Sequence, residues 1–249
     1  MGLLSSERGR ALLTWPRLIA SRGTQRTLHL CHLLASVQFA GLPRITLADF
    51  RRQFTKGAPS PDRVVLHPDL NGMGSGSTAE MASLASLVAA RQPRRLLEFG
   101  TCDGCSTWHL WANAPADARI TTIDLPAGTH VEGSSDLGLQ GVSRRPYLPA
   151  DSRIRLVEMD SRQVNPADIG PIDFCFVDAG HTYECVKSDS EKALAILQPG
   201  GLLVWHDASW LEDGYGVNRY LKELRASGRD VKLLDAGPYD YCALAVLAL

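Results

Sequence analysis

Residues 96–106 read Leu96-Leu-Glu-Phe-Gly-Thr-Cys-Asp-Gly-Cys-Ser106, and this stretch decides the fold. Leu96 and Leu97 have the character of a strand inside a sheet. Gly100 and Gly104 allow a tight turn at which the backbone can approach a ligand closely before a helix begins. On its own, a turn with two glycines is equally compatible with an ordinary strand-to-helix connection. A second strand follows in Arg119-Ile-Thr-Thr-Ile-Asp124, an apolar segment that closes on a carboxylate. Asp124 stands 24 residues after Gly100, the spacing at which an acid ending the second strand meets a ribose in dinucleotide-type sites.

Outward from this core, strands and helices alternate. Strand patterns cover 95–99, 119–124, 153–158, 172–177, 201–206 and 241–248, and helical patterns cover 105–113, 182–197 and 216–227. A further helix is expected to begin near Ala79, capped by Ser77 or Thr78 with Glu80 in its first turn, and to end before Pro93. Such alternation predicts an α/β protein whose parallel sheet is covered on both faces. Ile172–Val177 and Gly201–Trp205 are nearly continuous apolar runs, as doubly covered central strands should be. Residues 128–150 show no period and stand where a helix normally follows the second strand, so they are expected to form a long loop of the kind that often carries function.

At 249 residues, 45% hydrophobic and 21% charged, the chain has the composition of a globular protein with a substantial core. Its net charge of −1 hides an asymmetry. Of 26 basic and 27 acidic side chains, nine and two fall in the first 60 residues, so the remainder carries 17 against 25. Residues 1–60 are therefore predicted to be a basic helical extension, broken at Pro16 and Gly23, and residues 61–249 the main domain. A basic leader on an acidic body could make peripheral contact with an anionic membrane, although a solvated helical extension is the plainer expectation. Few aromatics and no concentrated basic face on the main domain argue against nucleic acid. Six dispersed cysteines lack zinc spacing: Cys102 and Cys105 form a C-x-x-C with no second pair, and reduced thiols in a cytoplasmic protein fit best. No run of 18 apolar residues is present and charges interrupt every apolar stretch of the N-terminus, so neither a spanning helix nor a secretory leader is expected. Met1-Gly2 with Ser6 matches the short myristoylation pattern, which arises often by chance.

Three further carboxylates fall at strand ends: Asp160, Asp178 and Asp207. A single acid there is commonly a helix cap. Four successive strands each ending in an acid, at the edge where open α/β sheets bind ligands, point to a site.

With these residues in place, about 75–249 of the chain resembles the class I S-adenosylmethionine-dependent methyltransferases. The likeness is to the branch that includes catechol- and caffeoyl-type O-methyltransferases and sugar O-methyltransferases of natural-product pathways. It is carried by Glu98–Thr107, by Phe176-Val-Asp-Ala-Gly-His-Thr-Tyr183 and by Gly200-Gly-Leu-Leu-Val-Trp-His-Asp207, with Cys102 standing where the commonest G-x-G-x-G form has its middle glycine. The resemblance implies a Rossmann-like, doubly wound, mostly parallel seven-stranded sheet. It implies S-adenosylmethionine as cofactor, with Glu98 in the first motif. Gly100 and Gly104 would open the backbone to the methionine portion, and Ser106 would meet its carboxylate at a helix N-terminus. Asp124 would accept from the ribose hydroxyls, and Asp160 with Ser161 would contact adenine.

Methyl transfer to a hydroxyl requires loss of a proton. His181, three residues beyond Asp178, is the candidate base, since an unperturbed imidazole titrates at roughly 6.5. Metal-dependent relatives place an acid at Asp178 and a pair of acidic or amide ligands after the fifth strand. Here that pair reads His206-Asp207, so Asp178 and Asp207 are the candidate ligands of Mg²⁺ or another divalent cation. The expected acceptor is a small molecule or sugar, and a homo-oligomer is compatible with the family. By position, Arg144, Arg145 and Tyr147 of the 128–150 loop, together with Asn71 to Gly76, are expected to line the acceptor pocket. Two rival classes stay open. A short-chain NAD(P)-dependent oxidoreductase would use Tyr183 and Lys187, which match a Tyr-x-x-x-Lys spacing but lie too close behind Asp178 and lack a catalytic serine at the expected distance. An inactive adapter of the same fold would have exchanged Glu98, Gly100 or Asp124, and all three are present.

Overall fold

Period-two burial sorts the apolar side chains of each strand onto opposite faces of one sheet. On the strand at 172–177 Phe174 and Phe176 join one core cluster while Cys175 and Val177 join the other, and on the strand ending at Trp205 Leu202 and Val204 separate in the same way from Leu203 and Trp205. Each fully buried side chain of this size contributes about 1.5–3 kcal/mol, so the alternation specifies which helices cover which face.

The computed structural model describes residues 43–54, 63–68, 76–129, 141–142, 144–208, 216–235 and 244–249. In chain order these form β1 (Arg44–Thr46), α1 (Leu47–Phe54), α2 (Thr78–Arg91), β2 (Arg95–Phe99), α3 (Cys105–Asn113) and β3 (Arg119–Asp124). There follow β4 (Ile154–Glu158), two single 3₁₀ turns, β5 (Ile172–Val177), α4 (Tyr183–Ile196), β6 (Leu197–Trp205), α5 (Val217–Ala226), β7 (Lys232–Asp235) and β8 (Ala245–Ala248). The sheet order is β1-β7-β8-β6-β5-β2-β3-β4. Pairing is parallel throughout except where β8 lies antiparallel between β6 and β7. Side chains of α2 and α3 pack into one core cluster and those of α4 and α5 into the other, so both faces are covered. The α/β, doubly wound expectation holds.

The seven strands expected of this fold are β2 to β8. Lys232-Leu-Leu-Asp235 shows no pattern of its own because four residues are too few to display alternation. An eighth strand is added by β1, which pairs in parallel with β7 and places residues 44–54, assigned by composition to the basic extension, on the sheet edge. The remaining expectations for the extension, including its breaks at Pro16 and Gly23, the membrane contact and the myristoylation pattern, lie outside the described residues, as do Cys31 and Cys242. Among the described residues no helix is long and apolar enough to cross a membrane, and no disulfide joins Cys102, Cys105, Cys175 and Cys185 to one another.

Helix starts follow their local chemistry. Ser77 and Glu80 form the reciprocal capping box of α2, and Thr182 accepts from the Cys185 amide at 3.3 Å to cap α4. The connection from β2 to α3 reverses direction within five residues, which requires Gly100 at φ +96°. A Cβ at Gly100 would stand 2.0 Å from the carbonyl oxygen of Asp178, so the ends of β2 and β5 are in backbone contact there.

Gly100→Ala is expected to cost more than ~2 kcal/mol, since a left-handed residue is disfavoured by roughly 1–2 kcal/mol before the collision is added. The midpoint of urea unfolding reads this directly. An unchanged midpoint would mean that β2 and β5 part easily at this edge.

Candidate functional site

Strand order reverses at β2: the chain winds outward through β3 and β4 on one side and through β5 and β6 on the other. Ligands of open α/β sheets bind at such a switch point, beyond the carboxyl ends of the strands. The hydrogen-bond ladder runs one residue past each strand here. Gly100 N donates to Ile123 O, Asp178 N to Phe99 O (both 2.8 Å), Met159 N to Asp124 O (2.7 Å) and His206 N to Val177 O (3.1 Å). This registration delivers Asp124, Asp178 and Asp207 to one edge.

On the β3–β4 side, Asp124, Asp160 and Ser161 line a common cleft with Ile123, Leu125, Met159, Ala179 and Cys185. Asp124 is nine-tenths buried and accepts from the amides of Cys102 and Leu125, both at 2.9 Å, so it ties β3 to the glycine turn. Burial pushes its carboxyl up, opposed by Arg145 and the two amides. Asp160 caps a 3₁₀ turn and pairs through both oxygens with Arg162, which holds its carboxyl below the usual range. Ser161 opens that turn and interacts with Asp189, a carboxyl on α4 that burial raises to about 7.

The first-motif residues lie beneath and beside this cleft. Glu98 is fully buried and accepts from the hydroxyls of Thr107 and Thr122, with Ser106 adding a further favourable contact. It therefore joins β2, β3 and α3 under the turn. Gly104, at φ +90°, is the N-cap of α3, and a Cβ there would stand 2.4 Å from the Leu148 amide nitrogen. The space at both turn glycines is thus taken by the chain itself, by Asp178 at Gly100 and by Leu148 at Gly104.

On the β5–β6 side four titratable groups converge. His181 Nε2 lies 2.9 Å from Asp207 Oδ2 and 3.8 Å from Asp178 Oδ1. His206 Nδ1 lies 3.2 Å from Asp178 and 3.3 Å from Asp207, and its Nε2 is 3.4 Å from Glu80 on α2. Burial disfavours the His206 imidazolium, but Asp178, Asp207 and Glu80 outweigh it and hold the ring well above the ordinary imidazole value. Burial likewise pushes Asp178 and Asp207 up, and their histidine partners override it, so both carboxyls sit below the usual range. The His206 ring is thus buried among three carboxylates, each of which favours its charged form. Ligand atoms of Asp178, His181 and Asp207 all fall within 4.8 Å of one another, two oxygens and one nitrogen that could hold a metal ion. Asp207 adopts φ +55°, an uncommon conformation for a non-glycine residue that Asp tolerates better than most.

Two contacts escape the sequence. Glu80 reads as a helix-cap partner, and nothing in its motif announces the second role beside His206. Arg145, placed by position near the acceptor, instead pairs with Asp124 at 3.3 Å. Of the other residues expected at the acceptor, Asn71 to Ser75 lie outside the described residues, while Tyr147 packs edge-on against His67 with ring centroids 5.1 Å apart. Tyr183 and Lys187 do approach to 3.3 Å, but both engage Glu223 on α5.

Burial raises the Glu98 carboxyl to about 7 from its ordinary 4.5. Between those values the unfolded chain has released a proton that the folded chain keeps, so stability falls as pH rises. Glu98→Gln removes this dependence. The variant should match the wild type at pH 5 and exceed it by about 3 kcal/mol at pH 8, an upper bound from the size of the shift. Chemical unfolding at the two pH values measures it, and a difference that stays constant would show that Glu98 titrates normally.

Residues 97–208 match a family described as a methyltransferase domain. A Sinorhizobium fredii protein, y4gI, is 30% identical over 146 residues, 56% of this chain and 16% of that protein. An Arabidopsis thaliana protein named for caffeoyl-CoA O-methyltransferase is 26% identical over 149 residues, 58% of this chain and 61% of that protein. The chain thus spans less than two thirds of the length of either relative. In fold it is similar to the SAH-bound methyltransferase PaMTH1 of Podospora anserina, with a TM-score of 0.53, 17% identity, and 90% and 96% of the two chains covered. Over residues 97–208 the chain is thus similar to a methyltransferase domain, and its fold is that of a solved methyltransferase.

Proposed function

We propose that the chain transfers the methyl group of S-adenosylmethionine to a hydroxyl oxygen of a small-molecule or sugar acceptor, with His181 as the base. One observation carries this reading: the His181–Asp207 pair stands at the same sheet edge as the cleft of Asp124, Asp160 and Ser161. The cleft's apolar walls and carboxylates suit a nucleoside, with Asp124 accepting from ribose hydroxyls and Asp160 and Ser161 facing the base. Gly100, Gly104 and Ser106 shape the turn at the N-terminus of α3, and Glu98 braces it from below. The name of the Arabidopsis relative favours oxygen as the acceptor atom. The acidic balance of residues 61–249 favours a small acceptor over nucleic acid.

When bound, the cofactor supplies a methyl group activated on a sulfonium. The acceptor oxygen forms its bond to carbon as the sulfur–carbon bond breaks, and the hydroxyl proton passes to the protein. Asp207 engages Nε2 of His181, so a neutral ring donates there and takes up the proton at Nδ1. The same carboxylate then stabilises the imidazolium that forms. His206, held cationic, offsets the charge of Asp178 and Asp207, which keeps two adjacent carboxylates ionised in a buried setting.

A second reading rests on the donor set. Two carboxylate oxygens and an imidazole nitrogen suit a borderline divalent ion such as Mn²⁺ better than Mg²⁺, which prefers oxygen alone. A cation held by Asp178 and Asp207 would polarise the acceptor hydroxyl. If it also took His181, that residue could not serve as base.

His181→Ala should slow turnover by about 10²–10⁴-fold with cofactor affinity unchanged, and wild-type activity should rise with pH as the imidazole loses its proton. Steady-state kinetics together with calorimetry test this, and near-normal turnover in the variant excludes the base.

Chelation separates the metal reading. If a cation acts, exhaustive chelation removes activity, Mn²⁺ or Mg²⁺ restores it, and Asp178→Asn or Asp207→Asn raises the metal concentration needed. Full activity after chelation excludes the cation.

A further inference from the structure

Arg145 reaches Asp124 and Leu125, two residues that line the cleft, from a strap that the structure pins down. Tyr147 N donates to Asp103 O at 3.1 Å, and Leu148 fills the space beside Gly104. The guanidinium is nine-tenths buried, with Nη2 3.3 Å from Asp124 and 3.4 Å from the Leu125 carbonyl, and Nη1 3.4 Å from Glu158. All three contacts are longer than the roughly 2.7–2.9 Å of a strong charge-assisted hydrogen bond. By contrast, Arg162 grips Asp160 with Nε and Nη2 at 3.0 and 2.6 Å. Moreover, Nε of Arg145 is buried and has no hydrogen-bond partner among the described residues. A buried charged donor left unpaired is costly, and one beside a ligand cleft is a group that a bound hydroxyl can complete.

We propose that Arg145 is a specificity-determining residue of the nucleoside site, donating to a ribose hydroxyl whose own proton goes to Asp124. The chemistry is complementary. A carboxylate only accepts and a guanidinium only donates, whereas each hydroxyl does both. Asp124 alone would leave the hydroxyl lone pairs of a buried diol unserved. With Arg145 beside it, the pair selects a ribose over a deoxyribose. Residue 145 thereby moves from the acceptor side, where its position in the loop had put it, to the cofactor side.

This rests on the S-adenosylmethionine reading, and the two are tested separately. Calorimetric titration of the wild-type full chain with S-adenosylhomocysteine comes first, and absence of binding there overturns the cofactor reading itself. Given binding, the wild type and Arg145→Ala are titrated with S-adenosylhomocysteine and with its 2′-deoxy and 3′-deoxy analogues. Loss of one hydroxyl should weaken wild-type binding at least 10-fold. Arg145→Ala should lose at least 10-fold for the parent ligand yet discriminate less than about 3-fold against at least one deoxy analogue. Arg145→Lys keeps a positive charge beside Asp124 and removes the Nε–H. It should fold like the wild type and show the same loss of discrimination, and it carries the test if the alanine variant does not fold. Equal weakening for parent and both deoxy ligands, or unchanged affinity throughout, overturns the proposal, because Arg145 would then only brace Asp124 or the strap.

Discussion

The backbone contact between the ends of β2 and β5 is the constraint on which the site depends. Parallel strands share no turn, so their ends coincide only when register is enforced along their length. Here Leu96 to Phe99 pair with Phe174 to Val177 without a slip, and Gly100 lets the carbonyl of Asp178 close on the turn. From that point the ladder extends sideways through Ile123, Phe99 and Val177. Acids 54 residues apart in sequence, Asp124 and Asp178, become neighbours across two strands. A one-residue slip would turn Glu98 away from Thr107 and Thr122 and would invert the two core faces together.

Ionised carboxylates at such an edge repel, and burial makes the repulsion worse. The protein answers differently on the two sides of β2. Around Asp124, amides of Cys102 and Leu125 and the Arg145 guanidinium supply donors. Around Asp178 and Asp207, the His206 imidazolium supplies a full charge from within, itself anchored by Glu80. Glu80 also closes the capping box of α2. The start of that helix and the charge of the site therefore stand on one carboxylate, and loss of Glu80 would be felt in both.

What the sequence made legible follows from what is local. Helix α3 was expected at 105–113 and occurs there, because a glycine turn, an apolar face and a following turn all lie within a dozen residues. The strand-end acids were legible for the same reason, each being the last residue of a short apolar run. Strand β1 and strand β7 were not, since three and four residues show no period and their pairing, β1 on β7 and β7 on β8, is tertiary. Ser106 illustrates a subtler limit. Its place in the motif marks the start of a helix, but its interaction with the buried Glu98 depends on β2 passing directly beneath, a tertiary fact. Likewise Glu80 meets His206 across 126 residues, and no local pattern encodes that.

The strap carrying Arg145 ties the glycine turn and the start of α3 to the ends of β3 and β4. Its Leu148 backbone packs on Gly104 at the start of α3, its Tyr147 ring meets His67, and its Arg145 reaches Asp124 and Glu158 at the ends of β3 and β4. Glycine at 104 is thus explained by chain against chain. The turn motif and the distant loop must have been fitted together, since a side chain at 104 would lift the strap and carry Arg145 away from Asp124. Cys102, at φ +47°, donates its amide to the same carboxylate. A residue with a Cβ stands where the commonest form of the motif has its middle glycine, and one hydrogen bond of Asp124 offsets the strain of keeping it there.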